Sequence, residues 1–379
     1  MYYICKEKKK NMLIENFKPE YYLLLLSIFV FTISFFVLSR IRVISLKFDL
    51  IDTPNYRSSH QKSVPTFGGI AFYISILFTL FLTQKWETGS IIITLATSLS
   101  IIFFTGLKDD SKNITPRMKL LGQLISVGIL MFYTEFRITT LHGFLGIEEI
   151  HPLISVLLSV FLLIGLINAY NLIDGIDGMA SVIGIVITTT FGLLFYSLEL
   201  YFYLGICVCL LAMILSFLRY NFSSRKKIFM GDTGSLLVGL VLGMLTMRLL
   251  SLDIEPVSEI IISRKELPLF LLSVLLIPAF DIIRVIFIRF INNKGIFSAD
   301  RKHIHHVLVD VGLTHKKASI TMGIVNILIV IIMFNAIRYF GLLASSFLLF
   351  LLILLMLYSF SFINKKVSSQ PNKNDEKSI

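Results

Sequence analysis

Apolar runs close to the roughly 20 residues that a helix needs to cross a hydrocarbon layer recur at short intervals from Tyr22 to Ile363, which leaves no room for a soluble domain. Only helices or closed barrels satisfy every backbone polar group inside lipid, and runs of this length predict helices. The expectation is therefore an all-α, polytopic membrane bundle. It forms one domain over residues 1–363, followed by a polar tail, 364–379, that reads as a solvated, disordered cytoplasmic segment. Composition agrees, since 55% of the 379 residues are hydrophobic, 16% are charged and the mean hydropathy is +0.82.

About eleven spans are predicted, near 22–44, 67–83, 90–107, 119–135, 153–171, 179–198, 200–218, 234–250, 268–290, 318–336 and 342–362. An odd number puts the termini on opposite sides. With the C-terminal tail in the cytoplasm, about 23 Lys and Arg fall on that side and about 11 on the other, as the positive-inside bias requires. The N-terminus is then outside. Lys8, Lys9 and Lys10 pull the other way, but Arg40, Arg42, Lys47 and Arg57 beyond the first span outweigh them. Initiation at Met12 would remove most of the conflicting charge, an expectation that N-terminal sequencing tests. No cleavable signal peptide is expected, because the first apolar run is long and no small-residue cleavage pattern precedes Arg40.

The net charge of +11 does not point to nucleic acid, because the basic residues sit in short loops where they set topology and meet anionic lipid. Cys5, Cys207 and Cys209 are too few and too scattered for a disulfide framework and read as apolar filler.

Against this apolar background, polar clusters at span ends stand out, and with eleven spans they all fall on the cytoplasmic face. Charge at membrane depth is costly and usually functional. The first loop, Asp52 to Gly69, carries Arg57, His60 and Lys62, which suit phosphate, and Gly68-Gly69, which allows close backbone approach. An ordinary topogenic loop explains the same charges. Asp109-Asp110, followed by Asn113, ends the third span; adjacent carboxylates suit a divalent metal or a phosphate-activating role, or else form a solvated cap.

The segment Asn168-Ala-Tyr-Asn171-Leu-Ile-Asp174-Gly-Ile-Asp177-Gly178 carries a stronger signal. Asn171, Asp174 and Asp177 lie one helical turn apart and form a polar stripe of oxygen ligands suited to Mg²⁺ or Mn²⁺. Helix capping is the alternative. Arg225-Lys226-Lys227 precedes Phe229-Met-Gly231-Asp232-Thr233-Gly234-Ser235, where a helix N-terminus awaits an anion; capping by Asp232 or Thr233 competes with that reading. In the last loop, Asp300-Arg301-Lys302-His303-Ile304-His305-His306 lacks the cysteines of a zinc pattern and reads as an anion site. Asp281 and Arg284 fit a buried ion pair at least as well as a direct role. His142, His151 and His315 have no partner cluster, and the first two read as outer-face loop residues.

Taken together, these motifs resemble those of the polyprenyl-phosphate N-acetylhexosamine-1-phosphate transferases, over roughly residues 45–310: Asp109 to Asn113, Asn168 to Gly178, Phe229 to Ser235 and His303 to His306, in the family's order. Asp52 to Arg57 and Asp300 to His306 look like the branch that starts O-antigen, enterobacterial common antigen or teichoic acid synthesis, ahead of the peptidoglycan branch. The resemblance implies transfer of a sugar 1-phosphate from a UDP-N-acetylhexosamine, foremost UDP-GlcNAc, to undecaprenyl phosphate, with Mg²⁺ or Mn²⁺ as cofactor, in the bacterial inner membrane. It implies that Asp109 and Asp110 activate or orient the lipid phosphate, that Asp232 and then Asn171 bind the metal, and that Asp174 and Asp177 lie near the nucleotide or metal. Arg301, His303, His305 and His306 would hold phosphates and sugar, with Arg57, His60, Asn113 and Asn168 completing the substrate-binding set. Homo-oligomerisation is left open. An ion-coupled transporter is the rival of a different class, but it predicts midplane polar groups and an internal repeat, and the halves of this chain show no convincing repeat.

Overall fold

The computed structural model describes residues 18–52, 63–144, 146–252, 262–291 and 303–368. In chain order the helices are α1 (Pro19–Lys47), α2 (Gly69–Thr83), α3 (Gly89–Lys112), α4 (Pro116–Leu130), α5 (Pro152–Ile173), α6 (Met179–Ser197), α7 (Tyr201–Asn221), α8 (Gly231–Ser251), α9 (Leu267–Val274), α10 (Leu276–Ile291), α11 (Ile304–Asp310) and α12 (His315–Ser368). Proline in the first turn of α1, α4 and α5 presets the backbone where no intrahelical N–H partner exists. Besides two single-turn 3-10 helices (Gln84–Trp86 and Thr134–Phe136), there are two small antiparallel strand pairs: β1 (Ile51–Asp52) pairs with β2 (Val64–Pro65), and β3 (Thr140–Phe144) with β4 (Ile147–Glu149).

Among the described residues, eight helices are long and apolar enough to cross a membrane, or nine spans if the pair α9 and α10, bent by 76°, is one of them. The difference from about eleven has two sources. The segment expected to span 119–135 forms only the 15-residue α4, about 22 Å at 1.5 Å per residue and short of a full crossing. The last two expected spans form one continuous assignment, α12, interrupted by non-helical backbone at Gly341 (φ 71°, ψ −176°). The Phe360 ring nevertheless packs 6.0 Å from that of Phe280 in α10. Asp281, the next residue, bonds the start of α11, which leads into α12, so Phe360 comes back to the end from which α12 sets out and the chain reverses around Gly341.

Burial explains the arrangement. Ninety-four per cent of the apolar window of α8 is buried, against 28% for α1 and 17% for α12, so α8 is the central post and the other two form the rim. An all-apolar helix carries no face preference of its own and takes its place from shape. The post packs chiefly against α5 and α3, and α2 closes it from a third side. Exposed Leu24, Phe29 and Phe36 on α1, Phe161 on α5 and Phe347 and Phe350 on α12 form the apolar outer surface of a multi-pass membrane protein. Cys207 and Cys209 are free, buried thiols in α7, as their reading as filler requires.

Candidate active site

At one end of the bundle, the C-termini of α1, α3 and α5 meet the N-termini of α8 and α12 around a cavity of about 660 Å³. Asp109, Asp110, Asn113, Asn171, Asp174, Asp177, Asp232, His305 and His306 all line it, so the acidic clusters of α3, α5 and α8 and the histidine segment share a single pocket. Arg57, His60 and Arg301 lie outside the described residues. Asn168 faces elsewhere, because its amide pairs reciprocally with Gln123 (3.1 and 2.9 Å).

The N-terminus of α8 does not await an outside anion. Asp110 supplies one from α3: its Oδ1 accepts the Asp232 N–H at 2.7 Å, and its Oδ2 accepts the Thr233 N–H at 2.9 Å and the Thr233 hydroxyl. Neither Asp232 nor Thr233 caps its own helix. Gly231, at φ +70°, makes room for this carboxylate, since a Cβ there would stand 2.5 Å from Asp110 Oδ2. Asp110 thus fixes where Asp232 projects. Its replacement by alanine orphans two helix N–H groups, so Asp110→Ala is expected to destabilise the protein by about 1–2 kcal/mol, read as a lower melting temperature in detergent. An unchanged melting temperature with lost activity would show a chemical role instead.

Lys119 of α4 reaches between acidic groups of the lining. Its Nζ lies 2.8 Å from Asp232 Oδ1, 3.1 Å from Asp109 Oδ2 and 3.3 Å from Asn171 Oδ1. The Asn171 amide also donates to Asp232 and, at 2.8 Å, to Ser235 Oγ. Asp109 is held in addition by the Ile114 N–H at 2.9 Å. Sequence reasoning missed Lys119, because a lysine at the start of a predicted span looks like an ordinary interfacial anchor.

Among the described residues, no three His, Cys, Asp or Glu side chains form a ready-made metal cage. Asp232 and Asn171 offer hard oxygen donors of the kind that magnesium shares with substrate phosphates, so the donor chemistry fits, with Lys119 already bound to both.

The α5–α6 turn carries the remaining carboxylates. Asp174 is pushed well above the usual carboxylate range by desolvation, reinforced by the neighbouring charges of Asp232, Asp110 and Asp177. Burial would raise Asp177 too, but hydrogen bonds and charge from His315 (3.2 Å) and Lys227 (2.6 Å) outweigh it and hold its carboxyl below the usual range. Ser319 Oγ donates to the Asp177 carbonyl oxygen at 2.7 Å, so this one residue ties α12 and the segment before α8 to the turn. His315, which had no partner in the sequence, therefore belongs to the pocket wall. Lys227 is engaged by Asp177 rather than waiting for an external anion.

His305 is buried against Gly175, and burial, followed by the adjacent His306, His303 and His315, holds its imidazole well below the usual histidine range. It is neutral at pH 7. His303 is absent from the pocket lining, and its Nδ1 bonds Asp281 at 2.9 Å. The expected Asp281–Arg284 pair is present but loose, at 3.9 Å. His142 bonds the Leu250 carbonyl oxygen, and His151 caps α5, both remote from this pocket.

This arrangement, a hard-oxygen and lysine cluster at the end of a membrane bundle, suits transfer of a phosphorylated group. Sequence comparison agrees. Residues 91–250 match the profile described as glycosyl transferase family 4. An undecaprenyl-phosphate alpha-N-acetylglucosaminyl 1-phosphate transferase of Yersinia pestis is 27% identical over 81% of this chain and 82% of its own length. A probable undecaprenyl-phosphate N-acetylglucosaminyl 1-phosphate transferase of Bacillus subtilis is 30% identical over 76% and 77%, and a decaprenyl-phosphate N-acetylglucosaminephosphotransferase of Mycolicibacterium smegmatis is 30% identical over 76% and 75%. With the acidic clusters of α3, α5 and α8 all inside the matched region and gathered at one pocket, the chain belongs to glycosyl transferase family 4, as a sugar-phosphate transferase.

Proposed function

We propose that the protein transfers N-acetylglucosamine 1-phosphate from UDP-GlcNAc to undecaprenyl phosphate, releasing UMP and forming the lipid-linked sugar diphosphate that starts a cell-envelope glycan. The observation that carries this reading is the cluster of Asp109, Lys119, Asn171 and Asp232 at one end of the helix bundle, where a lipid phosphate and a water-soluble nucleotide sugar can meet. The names of the relatives supply the substrate class.

In this reading, an acceptor phosphate oxygen attacks the sugar-bearing phosphorus, the pyrophosphate bridge breaks and its electrons leave with UMP. The acceptor is already anionic, so no covalent enzyme intermediate is needed. Lys119 is placed to neutralise charge gathering on the diphosphate, and Asp109, held by Ile114 and Lys119, to orient the lysine. Asp232 and Asn171 would hold Mg²⁺, or Mn²⁺ in its place, which when bound offsets charge on the diphosphate. His305 and His306 line the wall where phosphates or sugar would lie, with a neutral His305 serving as a hydrogen-bonding rather than a charged group.

The pocket end carries Arg42, Lys47, Lys108, Lys112, Arg117, Arg225, Lys226, Lys316 and Lys317, and the positive-inside bias supports a cytoplasmic active site in the inner membrane, with the N-terminus outside. Eleven crossings follow if α4 counts as one and α12 as two.

The test is purified protein in nanodiscs with undecaprenyl phosphate, Mg²⁺ and a panel of UDP-GlcNAc, UDP-GalNAc, UDP-QuiNAc, UDP-FucNAc and UDP-MurNAc-pentapeptide. UMP release and a lipid-linked product with UDP-GlcNAc are expected, and both should disappear on chelation. Turnover of the MurNAc donor instead would move the protein to the peptidoglycan step. No turnover of any donor would overturn the reading.

A further inference from the structure

Asp281 is fully buried in α10, yet its two short hydrogen bonds leave that helix altogether. Oδ2 meets His303 Nδ1 at 2.9 Å and Oδ1 accepts the Ile304 N–H at 2.8 Å, whereas Arg284, one turn away on the same helix, stands at 3.9 Å and lies over the Phe360 ring. A buried carboxylate needs its lone pairs satisfied, and here the histidine segment satisfies them. The α11 helix has no side-chain cap of its own at His303, so the Asp281 carboxylate holds its first turn from outside.

From there the contacts run to the pocket. With Oδ1 taken by the Ile304 N–H, Oδ2 faces His303 Nδ1, which fixes the ring orientation and favours the Nδ1–H tautomer that ¹⁵N-histidine NMR reads. The His303 and His305 rings are parallel, 5.7 Å apart at 4°, and His305 lies 4.2 Å from His306. On its other side, His305 rests on Gly175, where a Cβ would come within 2.1 Å of Nε2, in the turn that bears Asp174 and Asp177.

We infer that Asp281 is a positioning residue that clamps the His303–Ile304 turn and, through the His303 ring, sets the rings of His305 and His306 against the pocket. His303 then acts as a strut and not as a substrate contact. The inference rests on the reading that this segment holds the phosphates or sugar of the donor.

Two variants in nanodiscs test it, with UDP-GlcNAc as donor and ¹⁵N-histidine NMR as a second readout. Asp281→Asn keeps an oxygen for the Ile304 N–H but turns an amide N–H toward His303 Nδ1. The His303 signal is expected to switch to the opposite tautomer, and KM for UDP-GlcNAc to rise about tenfold, the lower end for loss of a supporting hydrogen bond, with kcat within about twofold. His303→Gln, which removes the ring, should raise KM by a similar factor and serves if Asp281→Asn does not accumulate. An unmoved His303 tautomer, or a folded variant of either kind with unchanged KM, overturns the clamp. If the wild-type protein turns over no UDP-sugar, the functional reading fails alone, and the NMR comparison of wild type with Asp281→Asn still decides whether Asp281 sets His303.

Discussion

Asp232→Ala is expected to reduce sugar-phosphate transfer about 10³-fold while the protein still inserts and folds. The size follows from removing a group that stabilises charge in the reacting complex, which for a single electrostatic partner is worth about 10²–10³ and here also removes the leading metal donor. The structure gives the reason that folding survives. Lys119, freed from Asp232, keeps Asp109 at 3.1 Å, so no lone ammonium is left buried, and the helix start is capped by Asp110 through backbone N–H groups that alanine retains. Turnover, measured alongside the melting temperature in detergent, separates the two effects. Near-native turnover in a folded Asp232→Ala would remove Asp232 from the centre of the site.

The second large effect comes from a residue with no reactive group. Gly69, at the start of α2, faces the first turn of α8 so closely that a Cβ would stand 2.2 Å from Gly234 N and 2.6 Å from the Thr233 carbonyl carbon. From α3, a Cβ on Gly106 would come 2.5 Å from Thr233 Cα. Both obstacles are backbone, which cannot rotate away as a side chain can. Gly69 N–H also donates to the Met230 carbonyl oxygen at 2.9 Å, so the segments before α2 and α8 are locked together.

Gly69→Ala therefore has to push the α8 N-terminus, and Asp232 with it, out of register. Overpacking of this kind costs about 1–3 kcal/mol, and a displacement near 1 Å at a reacting centre costs about 10²-fold in rate. A fall of about 10²-fold in kcat is expected, with a lower melting temperature. Gly89→Ala is the control, because nothing lies within 4 Å of its Cβ position and neither quantity should change. Native kcat in Gly69→Ala would mean that α8 tolerates the shift, and the lock would lose its significance.

Asp109, Asp110, Asn171, Asp174, Asp177 and Asp232, which line one pocket, were legible as candidate site residues because such polar groups at the end of a membrane-length apolar run have few bland explanations. Their individual tasks were not. Asp109 and Asp110 are neighbours in the chain, yet one turns to Lys119 and the other to the α8 backbone, a division set by which way successive side chains leave a helix end. Lys119 escaped notice and His315 was left without a partner, because the carboxylates Asp232 and Asp177 that they meet lie 113 and 138 residues away in sequence. Asn168 and His303 share motifs with pocket residues but pair with Gln123 and Asp281 instead.

By itself, the sequence determined that the chain is a helical, multi-pass membrane protein and that its polar groups gather at helix ends, because hydrocarbon permits little else and penalises every unpaired charge. It separated the last two apolar runs across residues 337–341, and the structure places the break at Gly341. Only the tertiary structure decided that α4 stops at 15 residues, that α8 is the buried post and that α9 and α10 bend by 76°. Only it decided which carboxylate caps a helix and which meets the lysine. Those choices depend on how close helix axes approach, which glycines and backbone contacts fix across long sequence separations and which no local pattern records.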